Sequence, residues 1–135
     1  MTNMDIELLI KEILSCAYAV RKELQQGFEE RVYKNAMFVE MKSRGLTISV
    51  ESTYDVYYKG VSVGTYRADM VVNDCVVLEL KANNALVKAN EVQLVNYLNA
   101  ANIEDGLLIN FGGEKLEIKR KYRTYHPSTL TYTHP

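Results

Sequence analysis

Cysteine, histidine and proline are all scarce in this 135-residue sequence. The two cysteines, Cys16 and Cys75, stand far apart with no CxxC, and the two histidines, His126 and His134, both fall at the C-terminal end. A zinc site therefore lacks its ligands and a disulfide framework lacks its members, which points to a reducing compartment and most simply to the cytoplasm. Long apolar runs are missing too. Leu8-Leu9-Ile10 and Val76-Val77-Leu78 fall far short of the ~20 residues a membrane-spanning helix needs. The acidic start, MTNMDIELL, does not read as a signal peptide. No sign of charge prevails: 16 Lys+Arg stand against 17 Asp+Glu, a formal net charge of −1. A globally basic nucleic-acid coat is thereby excluded, and an anionic partner has to be met by a local patch.

What the chain does have is ordinary for a soluble globular domain, with 47% hydrophobic and 24% charged residues. One domain is expected over residues 1–121, with residues 122–135 as a poorly ordered tail that carries both prolines. Ile6, Ile10, Ile13, Ala17, Val20 and Leu24 recur at steps of three or four and predict an amphipathic helix, capped near Thr2 or Asn3. Gln25-Gln26-Gly27 interrupts it. A second helix is expected from about Glu29 to Arg44, with Val32, Ala36 and Val39 inward and Gly45 as its stop. From Leu46 the period changes to two. Strands are expected over Thr47–Tyr58 (bent near Ser52-Thr53), Val61–Val72 and Val76–Lys81. A helix from Asn90 or earlier to about Ala100, a buried strand Gly106–Phe111 and an edge strand Lys115–Lys119 complete an α+β plan.

Charged residues interrupt the apolar strands at Arg67 and Asp69 and again at Glu79 and Lys81. Glu79 and Lys81, two apart, share one strand face. Whether Asp69 joins them depends on the hairpin loop. A two-residue loop pairs Asp69 with Leu78, whereas a three-residue loop, Asn73-Asp74-Cys75, sets Asp69 against Glu79 and Arg67 against Lys81. Two facing carboxylates repel unless something positive sits between them, and a divalent cation is the natural neutraliser. Lys81 would then orient water or offset charge on a phosphate. A plain salt-bridge ladder, Arg67 with Glu79 and Asp69 with Lys81, is the competing reading. On the helices, Glu30 and Tyr33 share a face at i, i+3, as do Gln93 and Tyr97 at i, i+4, with Glu91 nearby. Each pattern alone reads equally well as a dipole complement or a solvated stripe.

Taken in order, GFEERVY, YKGVSVGTYRADMVV, VVLELKA, EVQLVNYL and GLLINFG resemble the GxxExxY family, an offshoot of the PD-(D/E)xK nuclease superfamily, over roughly residues 5–119. The resemblance implies a restriction-endonuclease-like αβββαβ core, a mixed central sheet flanked by helices. It implies that Asp69 and Glu79, with the Leu80 carbonyl and Glu30, bind Mg²⁺ or Mn²⁺, that Lys81 assists water, and that Gln93 positions Lys81 or a phosphate. The implied activity is hydrolysis of phosphodiester bonds in DNA, or in RNA. A catalytically silent module that binds nucleic acid or a partner protein is the alternative.

Lys115, Lys119, Arg120, Lys121 and Arg123, interleaved with Tyr122 and Tyr125, form a basic stretch suited to a phosphate backbone and to base stacking. A solvated, frayed terminus is the other reading of it. Tyr33, Tyr97, Arg67, Lys119, Arg120 and Lys121 are the candidate substrate contacts. A homodimer is expected because cleaving both strands of a duplex takes two active sites.

Overall fold

The computed structural model describes residues 5–124. Helix α1 (Ile6–Leu24) opens where the Asp5 carboxylate accepts from the Glu7 amide at 2.7 Å. The cap expected at Thr2 or Asn3 lies outside the described residues. The apolar stripe of α1 buries Leu9, Ile10, Ile13, Cys16, Ala17 and Val20.

Helix α2 (Glu30–Ser43) buries Tyr33, Met37 and Met41. This corrects the expected face in part: Ala36 packs partly buried against the core as expected, whereas Val39 is 66% exposed. The three buried residues are spaced four apart, and their long side chains reach the sheet from one stripe. Tyr33 is the anchor. Its ring stacks on Phe111 with centroids 4.8 Å apart and planes at 10°. Its hydroxyl donates to the Gln25 carbonyl and accepts from the Phe28 amide. The interhelical turn, with Gly27 at φ +111°, is thereby tied to the core just ahead of Glu30.

The two long strands expected next are each broken once. β1 (Ile48–Val50) and β2 (Thr53–Tyr58) are separated at Glu51-Ser52, where Glu51 has φ +51°. β3 (Val61–Arg67) and β4 (Met70–Val72) are separated at Ala68-Asp69. The breaks lie opposite each other, with Ala68 N donating to Ser52 O at 2.9 Å and Glu51 N to Asp69 O at 3.1 Å. One ribbon therefore bends as a unit. Its β1/β4 half enters the main sheet, and its β2/β3 half forms a separate hairpin. The bend has a chemical consequence, because it frees Asp69 from the ladder.

The main sheet has the order β1-β4-β5-β6-β7, with β5 (Val76–Lys81), β6 (Asp105–Asn110) and β7 (Glu117–Tyr122). β5 and β6 are parallel, joined through helix α3 (Lys88–Ala101), and the other pairs are antiparallel. The sheet is mixed and helices flank it on both faces. Side chains alternate along β5. Leu78 and Leu80 pack with α1 and α2, whereas Val77 packs with Leu94 and Leu98 of α3. β7 continues to Tyr122 rather than ending at Lys119, and Arg123 N donates to Glu104 O at 2.8 Å. The rest of the expected tail lies outside the described residues.

Removing the Tyr33 hydroxyl leaves a carbonyl and an amide of the turn without their partner. Tyr33→Phe is expected to lower unfolding free energy by about 1–3 kcal/mol while preserving the fold, measured by urea denaturation with circular dichroism. An unchanged midpoint would show that the turn does not depend on this hydroxyl.

Candidate active site

The β4–β5 connection settles the register. Met70 pairs with Leu78, Val71 with Val77 and Val72 with Val76, which is the three-residue loop Asn73-Asp74-Cys75. Asn73 and Asp74 both take left-handed backbone conformations there, at φ +50° and +56°. Asn residues, and Asp less so, tolerate that region through local hydrogen bonding. Asp69, one step beyond Met70, consequently stands opposite Glu79. The Asp69 carboxylate accepts from the Leu80 amide at 2.8 Å, and the Asp69 amide lies 3.4 Å from Glu79 Oε1. Backbone N–H and C=O of one strand residue face the same neighbour, so the Leu80 carbonyl lies on this edge too.

Neither rung of the expected salt-bridge ladder forms. Arg67 ends β3, outside the main sheet, and pairs with Glu51 at 3.3 Å in an exposed position. The partner of Asp69 is Lys34, at 3.1 Å from Oδ1, with both side chains largely buried. Lys34 lies one helical turn beyond Glu30 and was missed in the sequence, although the i, i+4 pair was there to find.

Glu79 is 8% exposed. Burial, and secondly the neighbouring Asp69 charge, push its carboxyl up to about 8, against a smaller opposing pull from Lys81. Glu30 is also raised, chiefly by burial and then by Asp69, with Lys81 and Lys34 acting the other way. Asp69 raises the Lys34 ammonium by hydrogen bond and charge, and burial opposes it. These mutual influences bring Glu30, Lys34, Asp69, Glu79 and Lys81 into one electrostatic cluster.

Behind the cluster, fully buried Asn110 holds the end of β5. Its side chain accepts from the Asn83 amide at 2.9 Å and donates to the Asn83 carbonyl at 2.9 Å and to Glu117 Oε1 at 2.9 Å. A Cβ on Gly112 would fall 2.5 Å from the Ala82 carbonyl carbon, so only glycine admits the chain this close.

The model of the PD-(D/E)XK nuclease superfamily matches residues 7–121. The chain belongs to that superfamily. A solved structure, the crystal structure of SSO0001, shares the fold with a TM-score of 0.54 at 17% sequence identity, covering 74% of this chain. The chain spans about half of that protein, 53%. No curated protein matches it.

Members of this superfamily generally use divalent metals. The donor set here fits a hard cation: two carboxylates held within one pocket, a backbone carbonyl on the same edge, and a third carboxylate on α2. Among the described residues, however, no three acidic, cysteine or histidine side chains already converge as a metal cage. Lys34 holds one oxygen of Asp69 and the Leu80 amide the other. A cation binding between Asp69 and Glu79 has to displace the Lys34 ammonium.

Other expected contacts are placed elsewhere. Tyr33 is fully buried and positions the turn before Glu30, so it is corrected from substrate contact to support. Arg120 is taken up by Glu7 at 2.7 Å and Asp105 at 3.0 Å, and Lys121 by Glu91 at 3.2 Å. Antiparallel pairing of β7 with β6 brings these bases over acids of α1, β6 and α3, which corrects the reading of both as free phosphate contacts. Lys119 is exposed. Gln93 is exposed on α3 and hydrogen-bonds nothing among the described residues. Tyr97 is half-buried, stacked on Tyr66 at 3.9 Å. No described helix is long and apolar enough to cross a membrane.

Because the folded Glu79 carboxyl titrates near 8, against 4.5 for the ordinary side chain, the native state binds the extra proton between those values. Its contribution therefore destabilises the metal-free fold progressively as pH rises through that window, by roughly 1 kcal/mol per pH unit. Glu79→Gln is expected to flatten the pH dependence of urea unfolding between about pH 5 and about pH 8. Identical slopes for the two proteins would contradict the burial of this carboxyl.

Proposed function

We propose that this protein is a member of the GxxExxY family and a Mg²⁺- or Mn²⁺-dependent nuclease that hydrolyses phosphodiester bonds in DNA. The observation that carries the proposal is the register that sets Asp69 against Glu79 at the end of β5, with Glu30 and Lys81 within electrostatic reach of the pair. Asp69, Glu79 and the Leu80 carbonyl would hold the cation, and Glu30 would bind a second ion, directly or through water. When bound, the cation supplies charge neutralisation at the phosphate and a lowered pKa for the attacking water. Lys81 lies on the same strand face as Glu79 and forms no ion pair among the described residues. Its amine is free to orient water and to offset negative charge developing on the phosphoryl oxygens. Exposed Gln93 on α3 would steady Lys81 or a phosphate oxygen. The Asp69–Lys34 pair holds the pocket together before the cation arrives, and the displaced Lys34 ammonium would remain close enough to meet an anionic substrate.

In this reading the protein works in the cytoplasm on DNA, and a homodimer supplies two sites where both strands of a duplex are cut. The tight Lys34–Asp69 contact favours one rival: a nuclease-derived module that binds nucleic acid or a partner protein and leaves it intact.

Purified protein and Lys81→Ala are to be incubated with single-stranded, duplex and branched DNA, and with RNA, each with Mg²⁺ or Mn²⁺. Cleavage by the natural protein is expected, with a loss of about 100-fold or more in the variant. Equal cleavage by both proteins would remove Lys81 from the reaction. Binding with no cleavage of any substrate would instead establish the module.

A further inference from the structure

The β2/β3 hairpin stands apart from the main sheet and leans on α3, and between the two runs a cleft of about 460 Å³. Val56, Tyr57 and Tyr66 line it from the hairpin, and Asn96, Tyr97 and Asn99 from the helix. No carboxylate lines it. Its wall is rigid: Tyr54, Tyr66 and Tyr97 form a continuous ring stack, with centroid spacings of 5.4 Å and 3.9 Å. The Tyr66 hydroxyl donates to the Tyr97 carbonyl at 2.7 Å and so locks hairpin to helix. Both faces of Tyr66 are thereby covered. Tyr57 differs, since its side chain is 64% exposed and stacks on no ring among the described residues. Asn96 is exposed, and its amide makes no hydrogen bond among them.

This cleft lies near the candidate active site. Burial raises the Tyr66 and Tyr97 hydroxyls first; Tyr54 and then the Glu79 charge add to it at Tyr66, and Glu79 and then Asp69 at Tyr97. Strand connectivity agrees, because Tyr66 lies three residues before Asp69 on the same ribbon. A polymer lying across the acidic cluster therefore has a natural continuation between hairpin and α3.

We propose that this cleft binds unpaired nucleotides, with a base stacked on Tyr57 and its edge met by the Asn96 amide. The proposal rests on the nuclease reading and specifies its substrate as a strand that is single-stranded beside the cleaved bond. An exposed aromatic face offers every base a sequence-independent platform, and a free amide supplies both donors and an acceptor to a base edge. An uncharged lining suits bases, and the Asp55 carboxylate beside it is engaged by the Tyr57 hydroxyl at 3.3 Å. A paired duplex keeps its bases stacked on one another and offers no ring to Tyr57.

The test is binding without chemistry. A short single-stranded DNA carrying 2-aminopurine is titrated with the full chain in EDTA, following both 2-aminopurine quenching and anisotropy of an end label. Quenching on binding is expected, together with weaker affinity for the matched duplex. Tyr57→Ala is expected to lose about tenfold in single-strand affinity, Asn96→Ala less, and Tyr57→Phe little, since its ring still stacks. Circular dichroism of each variant guards against unfolding, and both substituted side chains are exposed. Unchanged affinity in folded Tyr57→Ala, equal affinity for single strand and duplex, or no binding at all would overturn the proposal. So would a fall from dimer to monomer in Tyr57→Ala, which would assign the hairpin to a second copy of the chain. Cleavage with no role for Tyr57 would defeat the cleft alone, and quenching without cleavage would defeat the catalytic reading alone.

Discussion

Two carboxylates are held against each other at the end of β5, under an overlying helix, and the rest of the site answers that constraint. Asp69 and Glu79 could not both be ionised there without a neighbouring positive charge. The protein meets the demand in two ways. Lys34 swings in from α2 to Asp69, and burial keeps Glu79 protonated to about 8. Together they balance the pair at neutral pH, with Glu79 held as the acid and Asp69 beside an ammonium. The cluster is an electrostatic compromise, with carboxylate oxygens gathered beside one ammonium.

The fold supplies the rigidity that holds this compromise in place. β5 runs through the middle of the sheet, buried between α1/α2 on one face and α3 on the other, so its alternating side chains have no freedom to swap faces. Asn110 and Gly112 then clamp its C-terminal end from the parallel neighbour β6. Tyr33 does the same for α2, tying the turn before Glu30 to the core through Phe111. Against this frame the bent ribbon is the open element. It releases Asp69 from ladder pairing and carries an aromatic hairpin out beside the pocket.

Much of this was legible in the sequence. The alternation of β5, the glycine break before Glu30 and the order of elements are local patterns, and local patterns survive folding. The candidate loops left two registers open, and Asp69 and Glu79 meet because Asn73 and Asp74 accept left-handed backbone. Other features depend on distant partners and were not readable. Val32, Ala36 and Val39 match a helical stripe as well as Tyr33, Met37 and Met41 do, and the Phe111 ring favours the second set. Arg120 and Lys121 look like a free basic patch until antiparallel pairing sets them over Glu7, Asp105 and Glu91. The break at Glu51-Ser52 falls beside the bend expected near Ser52-Thr53, whereas the one at Ala68-Asp69 was not read, and their alignment across the ribbon makes them one bend. Tyr33 was expected at the substrate because it shares a motif with Glu30, yet its task is to place that residue.

The most direct measurement is calorimetric titration of Mn²⁺ into metal-free protein, Asp69→Asn and Lys34→Met. The natural chain should bind the ion, Asp69→Asn should lose the signal, and Lys34→Met should bind more tightly because no amine has to leave. Absence of binding to the natural chain, or equal binding by all three proteins, would contradict a cation site between Asp69 and Glu79.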